Sequence, residues 1–186
     1  MKNKGLNSSG KGLIGIISFL LGLVIALGVG WGVFPTLLYS TKIQPMNFLH
    51  SAHQDSTCED CHFTRENGTY SGIPMLAKCA ECHEDAQGDT EDERILVEEY
   101  VQQQREIPWK TYAWQPDNVY FSHAAHTGDQ GIECVRCHRD VTGEAKLPPY
   151  YENRLTGYSK STMKMVECEK CHADQGTSNA CNVCHK

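Results

Sequence analysis

Cys58-Glu59-Asp60-Cys61-His62 is the stretch whose reading decides the fold, and it recurs along the chain. The other copies are Cys79-Ala80-Glu81-Cys82-His83, Cys134-Val135-Arg136-Cys137-His138, Cys168-Glu169-Lys170-Cys171-His172 and Cys181-Asn182-Val183-Cys184-His185. Each reads C-x-x-C-H, the attachment pattern for a c-type haem. The two thiols add across the vinyl groups of one porphyrin, and the adjacent histidine becomes the proximal iron ligand. The five motifs consume all 10 cysteines. Zinc sites and redox dithiols also use C-x-x-C pairs. Neither explains a histidine directly after the second cysteine in every copy, so five covalently bound haem c groups are expected.

Five porphyrins are a heavy load for 186 residues. They leave little room for an aliphatic core, so haem faces must form much of the interior. The expected fold is mostly irregular, with short α-helices wrapped on macrocycles. The formal charge of −6 gives no case for nucleic-acid binding.

The N-terminus sets the compartment. After Lys2, Lys4 and Lys11, the run Leu13 to Phe34 carries no charge. As a helix it spans roughly 33 Å, enough for a bilayer core and longer than a signal-peptide apolar region. A retained anchor over 13–38 is expected, with 1–12 in the cytoplasm by the positive-inside rule. The later residues then lie on the periplasmic side of a bacterial inner membrane. Ser18, Gly22, Ala26 and Gly30 form a small-residue ridge suited to a neighbouring membrane helix.

The chain holds 9 histidines, and five belong to the motifs. The rest fall in two matched places: Phe48-Leu49-His50-Ser51-Ala52-His53 before the first motif and Phe121-Ser122-His123-Ala124-Ala125-His126 before the third. Both read F-x-H-x-A-H. Two histidines three residues apart cannot share one iron, so each can serve a different haem as distal ligand. The repeat divides the soluble part into a first lobe, 39–106, carrying haems one and two, and a second, 107–186, carrying haems three to five. Between them Glu84 to Glu106 reads as an acidic linker helix, with Thr90 and Glu93 as a capping box and Ile95, Leu96, Tyr100 and Val101 as an apolar face. Trp109, Tyr112, Trp114, Tyr120 and Phe121 follow without regular spacing and suit haem edges or a partner surface.

The stretch Phe48 to His62 resembles the opening of the class III cytochromes, the c3 and c7 group, and Cys168 to Lys186 is similar to the end of the three-haem c7 proteins. The resemblance implies a class III-like multihaem domain in which His50 serves haem one, His53 haem two, His123 haem three and His126 haem four. Haem five is then left without a histidine. The c7 proteins supply one shortly before the penultimate motif, whereas here the chain reads Ser161-Thr162-Met163-Lys164-Met165. A methionine thioether is the usual alternative and raises the potential. Met165 is the first choice and Met163 the second. A further departure is Phe63, where the c3 group often has a second histidine.

Ile107-Pro108-Trp109-Lys110-Thr111-Tyr112-Ala113-Trp114-Gln115-Pro116 through His123, the third motif and Met165 before Cys168 together look like the multihaem subunits of alternative complex III and of the related menaquinone reductase complex. That resemblance implies a respiratory-chain electron-transfer subunit rather than an enzyme in itself. Its partners would be an iron–sulfur subunit of the molybdopterin-oxidoreductase type, polytopic quinone-binding membrane subunits, and a soluble or membrane-attached cytochrome or other carrier. The chain is expected to end at Lys186 with no further domain. Two alternatives remain: a multihaem reductase with one open iron, and a self-contained quinol dehydrogenase of the small tetrahaem kind.

Overall fold

A single helical run leads the chain in the computed structural model, which describes residues 8–68, 72–128 and 130–185, with the backbone alone for Ser8 and Ser9. Lys2, Lys4 and Lys186, which entered the expectations about topology and chain end, lie outside the described residues. Helix α1 (Ser8–Gly28) continues through a wide π turn, Val29–Val33, into α2 (Phe34–Leu38). Gly10–Leu38 is long and apolar enough to cross a membrane, and none of it is buried. Pro35 does not stop this helix. It sits in the first turn of α2, and Phe34 N–H bonds Val29 O in the five-residue π pattern. Proline removes one helical donor, and a wide turn is one way to re-space the ladder around it. Gly22 and Gly30 have no neighbour where a Cβ would stand, so the small-residue ridge is open along its length.

Two compact units result: Met1–Ser40 with Asn153–Gly157, and Thr41–Glu152 with Tyr158–Lys186. In the first, Arg154 N–H bonds Leu38 O at 2.8 Å at the end of α2. The second carries all five motifs. Its elements are short: α3 (Cys58–Cys61), α4 (Leu76–Ala80), α5 (Glu91–Ile95), α6 (Met165–Asp174) and α7 (Cys181–Cys184), with single turns between them. The only sheet among the described residues pairs β1 (Tyr39–Lys42) with β2 (Tyr150–Asn153). The expectation of short helices in a largely irregular chain holds.

The acidic helix is shorter than Glu84 to Glu106. It starts at the Thr90 cap, runs through α5 and a π segment, Leu96–Val101, and ends before Gln104 at φ 50°. Its role is more than that of a solvated linker. Leu96 and Tyr100 are buried against Met46 and Leu76, with Ile95, Val101, Ile107 and Trp109 around them. This is the polypeptide's own apolar core, and it is small: no large side chain among the described residues is fully buried.

Asn47 ties this core to the segment before the first motif. Its N–H donates to Asp92 Oδ1 at 2.8 Å, its side chain donates to Ala145 O at 3.1 Å, and Leu147 N–H donates to Asn47 Oδ1 at 2.8 Å. Asn47→Ala keeps the backbone bond to Asp92 and leaves two partners, Ala145 O and Leu147 N–H, without the side chain that held them. A loss of about 1–3 kcal/mol is expected, measured by denaturant unfolding.

Candidate functional site

Each motif folds as one helical turn because the histidine N–H bonds back to the first cysteine's carbonyl. The distances are 2.7 Å for His62 to Cys58, 2.9 Å for His83 to Cys79, 2.8 Å for His138 to Cys134 and 2.9 Å for His185 to Cys181. The fourth motif lies inside α6. A turn of this pitch puts residues i and i+3 on one face, so both thiols of a motif point the same way. Thr57 N–H on Asp60 Oδ2 at 2.6 Å and Lys164 N–H on Glu167 Oε2 at 2.6 Å fix the starts of α3 and α6.

The tautomer of each ring follows from its partner. His62 Nδ1 lies 3.0 Å from Gly72 O, His172 Nδ1 3.1 Å from Ser178 O and His185 Nδ1 3.2 Å from Asn118 O. His53 Nδ1 lies 2.9 Å from Leu49 O and His126 Nδ1 2.8 Å from Ser122 O. A carbonyl only accepts, so Nδ1 carries the proton in each of these rings, and Nε2 is left with a bare lone pair. His83 differs. Its Nδ1 meets Glu93 Oε1 at 2.7 Å, with the two side chains 17% and 13% exposed. Glu93 was expected to close the capping box with Thr90. Thr90 Oγ1 does accept from Glu93 N–H at 3.2 Å, but the carboxylate instead takes His83 and the N–H of Gln87 at 3.0 Å. Burial pushes this carboxyl's pKa up, and the bonds from Gln87 and His83 outweigh it, holding it below its usual value.

The imidazoles meet in pairs. His53 faces His83 at 6.1 Å between ring centres with a 43° tilt. His123 faces His138 at 6.3 Å and 6°, and His126 faces His172 at 6.2 Å and 18°. A metal held between two imidazole nitrogens at about 2.0 Å each puts the ring centres roughly 6 Å apart, so these spacings fit an iron with two axial histidines. His50 neighbours His62: burial lowers its pKa most, and His62 lowers it next. Burial likewise lowers His138, followed by His123 and His62. Among the described residues no three of His, Cys, Asp and Glu gather as a protein-ligated metal ion would require.

One phenylalanine serves each pair of upstream histidines, a role the F-x-H-x-A-H repeat signalled and sequence reading left unassigned. Phe48 meets His50 edge-on at 4.8 Å and stacks on His53 at 4.7 Å. Phe121 does the same to His123 at 4.8 Å and His126 at 4.7 Å. Phe63, where the c3 group often has a histidine, packs its ring over Gly72, whose missing Cβ would stand 2.7 Å from the ring. Of the two methionines, Met163 Sδ lies 3.6 Å from Cys168 Sγ, while Met165 opens α6 with a side chain 60% exposed. Among the aromatic residues, Trp109 packs on Phe48, and Tyr112 donates to Pro148 O at 2.6 Å. Trp114 and Tyr120 remain exposed.

The motifs also lie in a definite sequence of neighbours. Burial raises the Cys79 thiol and Cys61 adds to it; burial raises Cys134 and Cys58 adds to it. Burial raises Cys137, then Cys171; burial raises Cys168, then Cys184 and Cys137. Cys134 Sγ also lies 3.9 Å from Glu59 Oε1, beside Cys58. These electrostatic influences place motif one near two and three, and motif four near three and five.

Paired cysteines on helical turns, with histidines locked to present Nε2 in facing pairs, define a multihaem c-type cytochrome of class III, whose chemistry is electron transfer. Residues 35–109 match the class III cytochrome c family model, and residues 119–186 match that of cytochrome c7 and related cytochrome c. The chain is 47% identical to the menaquinone reductase multihaem cytochrome c subunit of Nitratidesulfovibrio vulgaris strain Hildenborough, over 92% of this chain and 90% of that protein. It belongs to the family of multihaem cytochrome c subunits that this relative represents.

Proposed function

We propose that the chain is a pentahaem, membrane-anchored electron relay within a quinone-linked respiratory complex. The observation that carries this reading is the set of facing imidazoles at 6.1, 6.3 and 6.2 Å, since irons closed on both sides pass electrons and bind no substrate. His62, His83, His138, His172 and His185 serve as proximal ligands, and His50, His53, His123 and His126 close haems one to four. Each bound haem supplies a one-electron centre. The chain's residues set its potential through ligand type, hydrogen bonding and burial. The neighbour order of the motifs supports a wire that runs two, one, three, four, five, with haems two and five at its ends. The name of the relative, a subunit of a menaquinone reductase, supports delivery of electrons to menaquinone through partner subunits. Partners of iron–sulfur and quinone-binding type, with an extracytoplasmic carrier as donor, are what the resemblance of the Ile107–His123 stretch implies. The apolar run Gly10–Leu38 supports a single-pass anchor, and the lysines before it support a periplasmic haem unit by the positive-inside rule.

For haem five we propose Met165 as the second axial ligand, with Met163 as its alternate. Met165→Ala is expected to remove one thioether–iron charge-transfer band and lower that haem's potential. If Met163→Ala does this instead, the assignment passes to Met163. If neither does, haem five is not methionine-ligated.

The test of the function is gentle detergent extraction, with mass determination of this subunit and of whatever travels with it. Five haems on the chain and co-migrating quinone-binding and iron–sulfur subunits are expected. A lone monomer, or fewer than five haems, would overturn the reading.

A further inference from the structure

We propose that Glu93 is the positioning residue of haem two and makes it the haem that is reduced last. The inference rests on the reading of His83 as that haem's proximal ligand. The other Nδ1 contacts described for His62, His172, His185, His53 and His126 go to neutral backbone carbonyls. His83 alone among these rings is held by a carboxylate, at 2.7 Å and largely out of water.

A full negative charge draws the Nδ1 proton more strongly than a carbonyl dipole does. The ring gains imidazolate character, and its Nε2 becomes a stronger donor. A stronger donor stabilises ferric over ferrous iron, so the reduction potential falls. Low exposure sharpens the effect because little solvent screens the charge.

The local structure reserves Glu93 for this contact. Thr90 Oγ1 fixes its backbone N–H, and Gln87 N–H fixes Oε1 on the same oxygen that meets His83. The carboxylate gives up the return half of a capping box to be there. Its neighbours on the helix behave differently: Glu91 and Glu98 pair with Arg94 at the surface, Glu91 by the closest contact and Glu98 at 2.7 Å.

Glu93→Gln keeps an oxygen acceptor for both donors and removes only the charge. The experiment is a spectroelectrochemical titration of the detergent-extracted holo-complex with this substitution, with haem content checked by mass. The most negative haem c step is expected to move positive by at least tenfold in its reduction equilibrium, 59 mV for a one-electron couple. The other haem c steps stay in place. His53→Met, which changes the distal ligand of the same haem, must move the same step. An unmoved step in a fully haem-loaded Glu93→Gln protein overturns the proposal, as does movement of a step that His53→Met leaves alone. If Glu93→Gln fails to mature, the wild-type redox-difference infrared spectrum decides. A carboxylate signal accompanying the most negative step supports the proposal, and its absence overturns it. A wild-type second motif found without haem overturns the ligand reading beneath it, an outcome the mass alone reveals.

Discussion

His126→Ala will leave all five haems attached and turn one of them high-spin. On the proposed assignment the thioether bonds of haem four would form at Cys168 and Cys171, far along the chain from His126, so attachment would not depend on this side chain. The iron would. His126 faces His172 at 6.2 Å, its Nδ1 is fixed on Ser122 O at 2.8 Å, and its ring stacks on Phe121 at 4.7 Å. Truncation removes the proposed sixth ligand and the stacked ring together. The electron paramagnetic resonance spectrum should gain one high-spin haem, carbon monoxide should bind to it, and added imidazole should restore low spin. The lost packing should cost roughly 2–3 kcal/mol. His123→Ala should do the same to a different haem, the third, because its partner ring is His138. A fully haem-loaded His126→Ala protein with an all-low-spin spectrum would sink the assignment of His126.

Gly68→Ala will destabilise the haem unit, and the loss will be partly recovered by Ala124→Gly. Gly68 has φ +69°, and a Cβ there would stand 2.6 Å from the Ala124 Cβ. Its carbonyl accepts from Ala124 N–H at 2.9 Å and from Ser122 Oγ at 3.1 Å, so backbone and neighbour are held together. The left-handed conformation costs an alanine about 1–2 kcal/mol. The overlap adds to this, because at 2.6 Å one backbone must move. Ala124 lies directly after His123 and two residues before His126, so the displacement reaches both ligands. Ala124→Gly removes the opposing methyl and leaves the φ strain, so the double variant should recover only the overlap part. Unfolding of the holoprotein and the spin state of haems three and four would measure it. A Gly68→Ala protein as stable as wild type would show that the loop gives way freely.

The sequence carried the local chemistry and lost the distant geometry. A C-x-x-C-H turn is complete within five residues, so each attachment site could be read directly. The F-x-H-x-A-H repeat likewise announced two matched histidine pairs, each packed on one phenylalanine. Which motif neighbours which could not be read, because Cys58 beside Cys134 and Cys137 beside Cys171 are contacts between separated segments. The acidic helix was drawn too long at its start because Gly88 and Asp89 precede the Thr90 cap outside the helix. Glu93 looked like half of a capping box, and nothing near it in sequence told that His83, ten residues earlier, would claim its carboxylate. The π turn that carries the anchor helix past Pro35 has no signal in the sequence beyond the proline itself.

The crossing of the ligand pairs has a consequence for how the molecule comes apart. With iron tying His50 to His62 and His53 to His83, each tie would have one end inside the loop that the other closes. The same is true of His123 with His138 and His126 with His172. In polymer terms these are crossed links, and slack released at one is taken up by the other, so the two haem sites of a pair should let go together. No such tie joins a ligand of the first group to one of the second. On the proposed ligand assignment the chain would be two interlocked networks in series, and pulling on its ends should open it in two events rather than five.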